Sequence, residues 1–62
     1  MSIEILRKEF QGMLVIEQRA KNFYEHYIDQ IDDRAIKKQL IAIRDDEVIH
    51  IKIAHALIKC VT

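Results

Sequence analysis

Tyr27-Ile28-Asp29-Gln30-Ile31-Asp32-Asp33-Arg34-Ala35-Ile36 interrupts the apolar periodicity of a chain that otherwise has almost no punctuation. Upstream, apolar positions recur in alternating steps of three and four: Ile3, Leu6, Phe10, Met13, Ala20, Tyr24, Tyr27 and Ile31, with Glu17 in the series. Downstream the series is Ile36, Leu40, Ile43, Ala54, Leu57 and Val61, with Glu47 and His50 in it. Each is the stripe of a packed helix. The two are out of phase. Continuing the first past Ile31 would put Arg34, Lys38, Asp45 and Lys52 on the stripe. The second begins two residues later than that continuation, about 200° around a helix at 100° per residue. One long helix would bury those charges, so the chain breaks at Asp32-Asp33. An aspartate there caps the second helix, and its charge suits the helix N-terminus.

A short connection between helices makes them antiparallel neighbours. The expected fold is all-α: one domain over residues 1–62, with a helix at about 3–31, a turn at about 32–33 and a second helix at about 34–60. Two helices alone cannot close a core. Ile5, Ile16 and Phe23 flank the first stripe, and Ile41, Val48 and Ile53 flank the second. Faces this broad are buried against more than one neighbour. The hairpin is therefore expected to dimerise into a four-helix bundle.

Composition narrows the function. Ten Lys and Arg balance ten Asp and Glu, giving zero formal charge. That is no footprint for nucleic acid. The longest apolar run, Met13-Leu14-Val15-Ile16, falls far below the ~20 residues of a membrane span. Glu4 and Arg7-Lys8-Glu9 interrupt the continuous stretch that an export signal needs. The single cysteine, Cys60, forms no intrachain disulfide and is read as an idle thiol. A cytoplasmic location follows as the expectation.

Three ionisable residues stand on the stripes. Glu17 falls between Met13 and Ala20, and Glu47 and His50 fall between Ile43 and Ala54. A carboxylate among apolar side chains is costly unless paired, protonated or bound to a metal. Glu17 and Glu47 are equidistant from a turn centred near residue 32, so an antiparallel hairpin sets them face to face. His50 lies one turn beyond Glu47 on the same face. Glu47-Val48-Ile49-His50 is the Glu-x-x-His unit of carboxylate-bridged dinuclear sites, in which two helices supply that unit and two others supply one Glu each. One chain holds half the set, and a two-fold dimer completes it. Four carboxylates balance two divalent cations. Carboxylate oxygen with imidazole nitrogen suits iron or manganese, with zinc as a further candidate. The competing reading is a buried Glu–His pair that sets the register of a purely structural dimer.

Tyr24 follows Glu17 by seven residues, about 10 Å along the axis. Its phenol is read either as a hydrogen-bonding or one-electron partner of the site or as an aromatic packing residue. Tyr27 and Phe23 are read as packing, and His26 and His55 as solvated or interface residues.

Glu17, then Phe23-Tyr24, then Arg44-Asp45-Asp46-Glu47-Val48-Ile49-His50 resembles the ferritin-like superfamily, and within it the encapsulated ferritins. Those proteins have two main helices and build a ferroxidase centre across a dimer. The resemblance covers roughly residues 10–58. It implies that Glu17, Glu47 and His50 are iron ligands, two irons per dimer, with Tyr24 as the catalytic tyrosine beside them. It further implies Fe(II) oxidation by O₂, assembly into larger even-numbered oligomers, and an encapsulin shell as partner. The neighbours Ile16, Gln18 and Arg19 replace the additional carboxylates that those proteins carry beside the first ligand. A rubrerythrin-like peroxide reductase is the alternative enzyme.

Overall fold

The computed structural model describes residues 1–62. Helix α1 runs Ile3–Gln30 and α2 runs Arg34–Cys60, packed side by side in a rod 47 Å long and 14 Å across, with no strand. No helix is long and apolar enough to cross a membrane.

Both helices start where the sequence supplies a cap. Ser2 Oγ accepts the Ile5 amide at 3.1 Å, and Asp33 Oδ1 accepts the Ile36 amide at 3.0 Å. Each satisfies one of the amides that a helix start leaves without an intrahelical partner. The first helix ends one residue earlier than its apolar periodicity suggests. Ile31 leaves helical geometry at φ −93° and ψ 128°, while its amide still donates to the Tyr27 carbonyl. Asp33 is also extended, and no residue of the chain has positive φ. A reversal made in extended backbone needs no glycine. Composition offered none there.

At the far end, Arg7 Nε and Nη2 donate to the Val61 carbonyl at 3.0 and 2.7 Å. The fork occupies a carbonyl that the end of α2 leaves free, and joins the two tips of the hairpin.

The packing seam differs from the sequence-based stripes in one respect. Phe10, Glu17, Tyr24 and Ile31 face Leu40, Glu47, Ala54 and Val61, as the stripes require. Between them, the expected Leu6, Ala20 and Leu57 are half-buried, but so are Leu14 and Lys21 on α1 and Arg44, Ile51 and Ile58 on α2, with Ile28 fully buried. Met13, Tyr27, Ile43 and His50 were expected on the seam and are exposed beside it. Each helix thus carries a central row with one further row on either side. In an antiparallel pair the same-sense rows of both helices fall on one side of the hairpin. One side row closes the hairpin; the other faces outward from it. Only Ile28, Ala54 and Val61 are buried in the single chain.

Candidate metal centre

Glu17 comes from the central row of α1, and Glu47 from the central row of α2. His50 comes from the outward row, one turn beyond Glu47. The turn brings the three together at mid-length of the rod. His50 Nδ1 lies 3.3 Å from Glu17 Oε2 and 3.9 Å from Glu47 Oε1. One ligand atom from each residue lies within 4.8 Å of the other two. Glu17, Glu47 and His50 are thus the three residues singled out on the stripes, and they converge as the spacing requires.

The cluster has depth. The Glu47 side chain is 16 % exposed, Glu17 25 % and His50 51 %. Glu47 forms the floor and His50 the mouth, and a concavity lined by Met13, Glu17, His50, Ile53 and Ala54 opens there onto the outward row. Neither carboxylate pairs with a lysine or arginine; His50 is the only ion-pair partner of each. The chain's Arg and Lys pairs lie elsewhere, among Lys21, Glu25, Arg44 and Asp45.

Glu47 Oε2 is buried and has no hydrogen-bond donor facing it. A buried acceptor without a partner is costly. Two things can answer it: a proton or a cation. The electrostatics favour the proton. A hydrogen bond to the Glu17 carboxyl, then burial, then the Glu17 charge raise the Glu47 carboxyl above its ordinary 4.5; His50 opposes the rise and Asp46 adds to it. Two adjacent carboxylates resist ionising together, which favours the protonated form of Glu47. A cation placed among Glu17, Glu47 and His50 would take over the same role, with both carboxylates ionised. Oxygen donors from two acids and one imidazole nitrogen form a set suited to first-row divalent metals.

Tyr24 is half-buried on the central row, yet it hydrogen-bonds none of the three. Its ring meets Phe23 edge-on, with centroids 5.5 Å apart. Sequence reasoning overlooked the mouth residue Ile53 as part of the site, having placed it only among the flanking apolar residues. A spacing of three from His50 was the available signal. Asp46, quoted in the sequence only as part of the resembling motif, bears its charge on Glu47 from the adjacent position.

The chain matches no family model, no curated protein and no solved structure.

Proposed function

We propose that two hairpins pair through their outward rows, so that two Glu17/Glu47/His50 sets form one dinuclear iron centre where Fe(II) is oxidised by O₂. The single observation that carries this is the partnerless, buried Glu47 Oε2 at the floor of a three-ligand cluster that opens onto an uncovered apolar side. A half-site lacking cationic side chains needs positive charge from elsewhere. Pairing supplies the missing ligands and covers the apolar row in the same step.

Iron is substrate here. Each Fe(II) gives one electron to O₂, which takes up two protons and leaves as hydrogen peroxide, with two Fe(III) formed. The chain's own residues bind and neutralise. The four carboxylates match the charge of two Fe(II), and a proton held on Glu47 departs to solvent when metal enters. Nδ1 of His50 is the nitrogen turned toward both acids, which leaves Nε2 to make the contact that fixes the ring. In cells the pair would work in the cytoplasm as part of iron handling, with an encapsulin-type shell or another store receiving the Fe(III).

Anaerobic Fe(II) titration on size-fractionated protein is expected to end near about one ion per chain, two per dimer. Admitting oxygen should then give rapid O₂ uptake and a ferric absorption band. Glu47→Ala protein that oxidises iron at the wild-type rate would overturn the proposal. Faster turnover with hydrogen peroxide than with O₂ would move it to peroxide reduction. One observation favours a purely structural dimer: the 3.3 Å contact between His50 and Glu17 satisfies both groups without metal. That alternative requires a melting temperature indifferent to chelator.

A further inference from the structure

Besides Glu17 and His50, the concavity over the cluster is lined by Met13, Ile53 and Ala54. Met13 stands one turn before Glu17 on the same face of α1, since residues four apart lie one above the other. Long helical side chains lean toward the helix N-terminus, which carries the Glu17 carboxylate over the turn that bears Met13. Across the mouth, Met13 and His50 stand almost equally far from the bend. The thioether and the imidazole therefore flank the opening from opposite helices. Met13 is exposed in the single chain and lies on the outward row, where the proposed pairing covers it. The chain's other methionine, Met1, lies before the start of α1 and away from the cluster. An unbranched thioether fills an apolar gap as leucine would, but its sulfur also takes up an oxygen atom.

We infer that Met13 is a peroxide-sensing switch: oxidation of its sulfur at the mouth of the cluster separates the paired hairpins. The inference rests on the proposed pairing and iron oxidation, which leaves hydrogen peroxide inside the interface beside Met13. Access from solvent is not required, because the oxidant forms within the covered centre. A sulfur lone pair attacks one peroxide oxygen and the O–O bond breaks. The hydroxide set free takes the remaining proton and leaves as water. Sulfur is oxidised by two electrons, peroxide is reduced by two, and the product is methionine sulfoxide. The new oxygen is a hydrogen-bond acceptor. Ile53 and Ala54 have no side-chain donor to meet it, Glu17 presents acceptors, and His50 Nδ1 is turned to the acids. Burying such an oxygen without a donor is costly. In the separated hairpin water reaches it, so oxidation favours separation. Separation divides the shared centre and halts iron oxidation wherever peroxide is not being cleared. Enzymatic reduction of the sulfoxide restores the pairing.

Sedimentation equilibrium, with mass spectrometry of proteolytic fragments, tests this. Metal-free protein is treated with reagent hydrogen peroxide until Met13 carries an added oxygen. It should then dimerise roughly ten-fold more weakly than untreated protein. Met13→Leu, which keeps the volume without the sulfur, should stay paired after the same treatment. In a second arm, wild type is loaded with Fe(II) and given O₂ with catalase in the surrounding solution. Met13 should be oxidised despite the catalase, because peroxide meets it before leaving the interface. Oxidised Met13 with unchanged dimer affinity, or equal weakening in Met13→Leu, would overturn the switch and leave the pairing intact. Normal O₂ uptake with Met13 unmodified beside catalase would overturn its coupling to the iron chemistry. No O₂ uptake, together with a Met13-dependent loss of pairing, would instead remove the iron reading and leave the switch standing. A chain that is monomeric before treatment would remove the pairing and the switch together.

Discussion

The two broad sides of the hairpin are built from opposite materials. On one, Met13 and Ile53 stand exposed at the mouth of the Glu17/Glu47/His50 cluster, and Ile43 and Tyr27 stand exposed farther along the rod. On the other, at the same height, Gln18, Lys21, Asn22 and Lys52 rim a groove floored by Val48 and Ile51. The polar side is finished as it stands: Lys21 reaches Glu25 at 3.0 Å, and Arg44 reaches Asp45 at 2.8 Å. The apolar side has no such closure. A soluble helix that leaves a contiguous apolar stripe in water has an unmet partner. The contrast teaches that the exposed apolar residues and the mouth of the acidic cluster share one side, while the other is polar and paired.

The sharpest way to break that contrast is to place a charge on the apolar side. In the proposed dimer, Ile43→Asp should favour monomer and cost several kcal/mol of assembly, since a buried carboxylate without a partner is among the costliest changes. Lys52→Asp at the polar groove should change stability by no more than ~0.5 kcal/mol. Sedimentation equilibrium with thermal melts would read both, and equal effects would erase the distinction between the sides.

Metal should come next in size. Ligand at about 100 times its dissociation constant stabilises the folded form by about 2.7 kcal/mol. A chelator should therefore lower the melting temperature of wild type by several degrees and leave Glu47→Gln unmoved, as differential scanning calorimetry would show. The metal-free protein should also respond to pH in a defined direction. The folded-state pKa of Glu47 lies above its ordinary 4.5, so the folded chain holds that proton more tightly than the unfolded one. The proton's contribution is fully present below 4.5 and is lost as pH rises through the folded value. Urea melts across that window should show wild type losing stability relative to Glu47→Gln as pH increases. The opposite slope would mean that the Glu47 carboxyl is not raised in the folded chain.

Smaller effects belong to features that both sides share. Asp33→Ala removes the cap of α2 and should cost about 1 kcal/mol. Replacing Lys21 with Gln breaks an exposed pair with Glu25 and should cost less than ~0.5 kcal/mol.

Much of this was legible in the sequence, for local reasons. The break at Asp32-Asp33 announces itself through a phase shift, and the Asp33 cap is a rule of helix starts. Glu17 and Glu47 meet because antiparallel helices rise at the same rate from one turn. What the sequence left ambiguous was rotation. Leu14 and Ile28 compete with Met13 and Tyr27 as neighbours of the central row, and apolar content favours neither set. Lys21 and Arg44 stand in the sheltered row, which makes it read as less apolar than it packs. Their long stems lie along the seam while their charged ends reach Glu25 and Asp45. Tyr24 was ambiguous for a different reason. A seven-residue spacing fixes its row but not what its hydroxyl touches.

The joined tips bear on how the chain reaches its final form. Partners near the bend are close neighbours along the backbone, whereas Arg7 and Val61 are 54 residues apart. Loop closure is entropically cheapest for the nearest pairs and grows costlier, though slowly, with separation. Assembly should accordingly zip from the Ile31 end outward, with the Arg7 fork closing last over strands of contact already made. The same order reversed makes the tips the first place to fray, and the guanidinium at Arg7 is the group that holds fraying back.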